Sequence, residues 1–185
     1  FGNGRIMGRS QTSGLNSNAF AFYRMPMANH YCYIEQSGQP QKVPSLDILD
    51  GKSQGFLIAP FDPQEESIYL ICPAHLKVLP TSTLEIPESL HGSEQSFEDT
   101  IAFSVYKKNF EQCQQLLKAG VLDKIVLSHS VEIPESTKSV QQLFATACHL
   151  FPKCYVALWQ TQPTGTWLTI TPEILLERTD HRQWH

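Results

Sequence analysis

The stretch SVQQLFATACHLFPKCYVALWQTQPTGTWLTIT, residues 139–171, decides the fold class. Ser139-Val-Gln-Gln142 fits a capping box, in which the serine side chain accepts from the backbone three residues on and the glutamine side chain bonds back to the serine N–H. Leu143, Phe144, Ala147, Leu150 and Phe151 then recur at helical spacing. Pro152 ends that run, because proline lacks the N–H that a helix interior needs. Residues 154–160 and 165–171 follow as two strand-like runs, with Pro163, Thr164 and Gly165 as the turn between them. A capped helix feeding straight into a hairpin predicts an α+β fold, with antiparallel sheets and packed helices, and not a doubly wound α/β sheet.

Working outward, the upstream chain repeats the same mixture. Phe20-Ala-Phe-Tyr-Arg24 and Tyr31-Cys-Tyr-Ile34 are dense in aromatic side chains and predict strands joined by a turn over 25–30. Residues 55–61 and 67–72 predict a second hairpin across the polar connection 62–66. Residues 80–100 are polar and interrupted by Pro80, Pro87 and Gly92, and read as the longest loop. Tyr106, Phe110, Cys113, Leu116 and Leu117 predict a helix, with Ser104 as its N-cap and Gly120 as its stop. Residues 124–133 then alternate as a strand. Ile125, Leu127, Val131 and Ile133 lie on one face together with His129, read as a core histidine; Lys124, Val126 and Ser128 lie on the other. Residues 1–19 begin without methionine, are rich in Gly, Ser and Asn, and contain no apolar signal core; they read as a flexible or appended leader before a domain over 20–185.

Composition narrows the function class. The chain has 185 residues, 41% hydrophobic and 17% charged, which suits one domain with a real core. A net charge of −4 gives no basic surface for nucleic acid, so no nucleic-acid partner is expected. No apolar run approaches the roughly 20 residues that cross a bilayer, so no membrane partner is expected either. Cys32, Cys72, Cys113, Cys148 and Cys154 are odd in number and form no CxxC. They read as reduced, buried thiols, and so the protein is expected in the cytoplasm.

Two side chains carry candidate chemistry, each with two readings. Lys124 opens an apolar segment after a glycine turn. It is either a solvated charge at a strand edge or an amine that burial under a substrate would make a usable general base. Glu173 follows it by 49 positions, inside Thr171-Pro-Glu-Ile-Leu-Leu176. There, threonine, proline and glutamate make a good helix start. Alternatively, apolar surroundings would hold the carboxyl protonated as a general acid. Trp159 and Trp167 flank the hairpin turn and read as packing residues.

In order and spacing, these segments resemble the chorismate-binding enzymes. The helix ending Leu117-Lys-Ala-Gly120, the run Leu122-Asp-Lys-Ile-Val-Leu-Ser128, the hairpin and Thr171-Pro-Glu-Ile-Leu-Leu176 carry the resemblance, which is sharpest over 104–178. The fold implied is that of anthranilate synthase component I, with the present chain as its first part. Lysine at 124 resembles the isochorismate synthase branch; the branches that add ammonia typically carry glutamine there. The resemblance implies Lys124 as the base that activates a water, Glu173 as the acid that protonates the departing hydroxyl, and Thr171 as a substrate contact. It implies chorismate as the ligand and Mg2+ as cofactor, with the metal ligands expected beyond position 185 and none in this chain. Alone, this N-terminal portion is expected to be inactive and to self-associate through open sheet edges. The alternatives are an ammonia-using anthranilate or aminodeoxychorismate synthase component I and a non-catalytic α+β binding domain. The chain departs from the family pattern in two places: His129 stands where arginine is usual, and Thr169-Ile170 where a small pair is usual.

Overall fold

The computed structural model describes residues 18–48, 54–60, 62, 66–86, 100–130 and 138–172. They fall into two units. One contains 100–130; the other contains 18–86 and 138–172.

The larger unit is built on an antiparallel sheet of five strands. Its strands are β1 (Ala19–Arg24), β2 (His30–Gln36), β6 (His75–Pro80), β7 (Tyr155–Thr161) and β8 (Gly165–Thr171), in the order β6-β2-β1-β7-β8. The central pair joins distant parts of the chain, with Phe20 opposite Gln160 and Arg24 opposite Val156. A smaller antiparallel sheet holds β3 (Gln41–Val43), β5 (Ile68–Ile71) and β4 (Phe56–Ile58), with β5 in the middle. The α+β expectation, with antiparallel sheets and packed helices, is met.

Period-2 alternation gives the large sheet two apolar faces, and each has a cover. On one face Phe22, Tyr31, Val156 and Leu158 pack against Phe144, Ala147 and Cys148 of the helix α2 (Val140–Leu150). On the other, Ala19 and Ala21 leave room for the small sheet to approach, and Ile34 and Ile71 close the contact beside Phe56, Ile58 and Trp159. The order across this unit is therefore helix, five-stranded sheet, three-stranded sheet. Gly55, just before β4, lies close against β5. A Cβ there would lie 2.6 Å from the Ile71 carbonyl oxygen, so only glycine fits without a shift.

The capping box forms as read: the Gln142 N–H donates to Ser139 Oγ at 3.2 Å, and the Ser139 N–H donates to Gln142 Oε1 at 3.0 Å. The hairpin is also as read, with Trp159 opposite Trp167 and a turn in which the Thr164 N–H donates to Thr161 Oγ1.

The smaller unit holds the helix α1 (Thr100–Lys118). It starts four residues before the expected N-cap, so Ser104 lies inside it. No glycine or proline interrupts 100–104, and extending an established helix by a turn is easy compared with nucleating one. Its end is as expected. Gly120 has φ +68°, its N–H donates to Leu117 O at 3.1 Å, and the Val121 N–H donates to Leu116 O at 3.0 Å. This double bond pattern is a Schellman stop. Replacing Gly120 by alanine forces a Cβ into the left-handed region and should destabilise this unit by about 1 kcal/mol. Urea denaturation followed by circular dichroism reads that shift.

Two readings are corrected. Residues 124–130 form no strand, and no ladder among the described residues runs through them. Alternation makes a strand only where a neighbouring edge supplies hydrogen bonds, and none of the described strands does so. His129 is accordingly not in a core. It is exposed, and its ring lies against Tyr106 of α1 with centroids 5.8 Å apart. Two further strands, β3 and β6, lie where the sequence reading placed none. Residues 87–99, most of the expected loop, are outside the described set. The five cysteines are all free, but only Cys148 is buried; the other four are partly exposed.

Candidate functional site

Lys124 follows the Schellman stop of α1 by four residues, in an irregular segment. It is exposed, and it makes no hydrogen bond or ion pair among the described residues. The amine is thus presented by the chain leaving a helix, not by a strand as expected.

Thr171 is the last residue of β8 and sits opposite Tyr155 of β7. It ends the strand where the sequence reading ended it, while the helix start also read at Thr171-Pro-Glu falls on residues outside the described set. Proline explains the stop, since Pro172 has no N–H to extend the ladder. Glu173 lies outside the described residues. Lys124 belongs to the smaller unit and Thr171 to the larger.

Thr171 shares its sheet face with Tyr155, Thr169 and Trp167, opposite the face on which Leu168 and Ile170 pack toward α2. Trp159 and Trp167 stack there with centroids 5.9 Å apart and planes 6° from parallel, and Trp159 continues onto Phe56 at 5.6 Å. The tryptophans therefore act as packing residues, as read. Further along this face lies a group that the sequence reading missed, Tyr23, Cys32 and Tyr155. Burial, reinforced by the Cys32 thiol, pushes the Tyr155 phenol up to about 12. Burial also raises Tyr23 to about 12, with Cys32 and then Tyr155 adding to the effect. Both phenols are neutral donors across the physiological range.

These shifts fix the sign of an alkaline effect. The folded-state values of about 12 exceed the ordinary 10.0, so the unfolded chain loses these protons first as pH rises. The stabilisation is complete below pH 10.0 and disappears on the way to about 12. Urea midpoints should therefore fall across that interval, and Tyr155→Phe should flatten the fall. A variant with the parent's full alkaline loss would contradict the assignment of this effect to Tyr155.

A second missed residue is Arg24, which is 3% exposed. Its Nη1 donates to Pro152 O at 2.8 Å and Met25 O at 3.3 Å; its Nη2 donates to Phe151 O at 2.8 Å and Cys154 O at 2.9 Å. The signal was present in the sequence. Phe20, Phe22 and Arg24 alternate on one face of β1, so a charge at position 24 must point inward with the aromatics.

Among the described residues no group of three or more His, Cys, Asp or Glu side chains could hold a metal ion. No helix among them is long and apolar enough to cross a membrane.

The family model described as chorismate binding enzyme matches residues 46–183, a span that includes Lys124, Thr171 and Glu173. No curated protein and no solved structure matches the chain.

Proposed function

Because this chain belongs to the chorismate-binding enzyme family, we propose that it serves an isochorismate synthase, which converts chorismate to isochorismate by adding water at C2 and expelling the C4 hydroxyl. The observation that carries this reading is lysine at position 124 within the matched span. Ammonia is already a nucleophile at neutral pH, whereas water needs a base. A lysine amine desolvated by a bound substrate supplies one.

In this reading Lys124 takes a proton from the attacking water as its oxygen bonds to C2. The ring double bonds shift. Glu173 gives its proton to the C4 oxygen as that bond breaks, and water leaves. Each group ends in the other's starting role, so the reaction runs in both directions. Thr171 sits at the base of the segment that carries Glu173 and contacts the substrate from the end of β8. Exposure of Lys124 in the free protein is compatible with this role, because substrate closing over the amine supplies the desolvation. The magnesium ion that the resemblance implies has no ligand set among the described residues, and no step assigned here passes through it.

The test is product identification. The full chain as the cell makes it, incubated with chorismate, should give isochorismate with and without ammonium. Anthranilate or aminodeoxychorismate appearing only with ammonium would reassign the protein to the ammonia-using branches. Absence of any chorismate turnover or binding would favour a non-catalytic domain.

A further inference from the structure

We propose that the cavity between α2 and the β1–β2 turn is a binding site for a small carboxylate carried on an apolar, ring-sized body. The cavity has a volume of about 390 Å3, in the range of small-molecule sites. It lies on the α2 face of the large sheet, whereas Thr171 is on the other face.

Three observations converge. The first is a buried cation with no counter-ion among the described residues. Arg24 lines the cavity at 3% exposure, makes no ion pair among the described residues, and its Nε has no hydrogen-bond partner. The four carbonyls that it holds satisfy its other N–H groups, but they are dipoles and leave a full positive charge out of water. The neighbouring Cys148 thiol does not neutralise it, because burial raises the thiol's pKa more than the guanidinium lowers it. The second is composition. Among the described residues no acidic side chain lines the cavity, and Met27, Leu84, Ile86 and Ala145 give it apolar walls. Charge at the floor with apolar walls matches an amphipathic anion. The third is the rim. Met27 has φ 58°, alone among the described non-glycine residues in the left-handed region, and is 70% exposed. That φ belongs to the turn closed by the Ala28 N–H donating to Met25 O at 3.1 Å, and the turn leaves a large apolar side chain exposed among the lining residues, where an apolar ligand body would cover it.

Benzoate, with its neutral isostere benzamide as control, tests the idea on the intact protein. Cys148 lines the cavity, so occupancy should slow its alkylation, read by mass spectrometry of its peptide, while the other cysteines serve as internal controls. Benzoate should protect Cys148 and raise the melting temperature, and benzamide should be at least tenfold weaker. Ser82 is exposed at the cavity, so substitution there spares the core. Ser82→Glu should weaken benzoate at least tenfold by placing a like charge at the mouth, and Ser82→Gln should leave it within twofold. Equal protection by benzoate and benzamide, no protection of Cys148 at millimolar benzoate, or an unaltered response in Ser82→Glu would each overturn the proposal.

Discussion

Replacing Lys124 by alanine should lower chorismate turnover by roughly 100- to 10,000-fold, the usual contribution of a positioned general base. The fold should survive, because Lys124 is exposed and holds no partner among the described residues. Lys124→Gln separates two explanations. If the lysine only contributes a polar contact or bulk, glutamine recovers part of the rate; if it removes a proton, glutamine is as inactive as alanine. Glu173→Gln should cause a loss of the same order, because an amide cannot deliver the proton that the C4 oxygen needs. Isochorismate formation measured by chromatography, beside thermal melts of each variant, checks these outcomes. Wild-type turnover in either variant would remove that residue from the mechanism.

The second large effect concerns stability and does not depend on the chemistry. Arg24→Met should destabilise the larger unit by about 3 kcal/mol or more, since hydrogen bonds to charged groups contribute roughly 1.5–3 kcal/mol each and buried carbonyls left bare are costly. Arg24 ties the central strand β1 to the C-terminal end of α2 and to the link that leads into β7. Its positive charge also sits where the helix dipole is negative, which adds to the stabilisation. Arg24→Lys should recover only a fraction, because an ammonium cannot reproduce the planar fork that reaches Phe151, Pro152 and Cys154 together. Chemical denaturation gives the answer. A loss within about 0.5 kcal/mol of zero, typical of surface positions, would mean that water replaces the clamp.

Local physics made part of this fold readable. Ser139 and Gln142 cap α2 as written, because both partners lie within one turn of sequence. The β7–β8 hairpin was equally legible, since three residues and a hydroxyl-held turn set its register. What failed was long-range. Nothing near Phe20 announces that its neighbour in the sheet is Gln160. The strand β6 carries Lys77 between Leu76 and Val78 and pairs with β2 in a stretch whose sequence suggested no element. The opposite error befell 124–130, where good alternation met no neighbouring strand. For the site, the residue types were legible and their settings only in part. Lys124 was expected on a strand and leaves a helix, whereas Thr171 ends its strand as expected. Tyr155 gave no sign in sequence, because its raised pKa comes from burial and from Cys32, a residue more than a hundred positions away.

In the proposed mechanism water, activated at Lys124, is the nucleophile. Turnover of chorismate in water enriched in oxygen-18, followed by mass spectrometry of the product, tests this most directly. Isochorismate bearing one solvent oxygen at C2 is the expected product. A product that retains only the original oxygens, or one that carries nitrogen in place of the new hydroxyl, would contradict it.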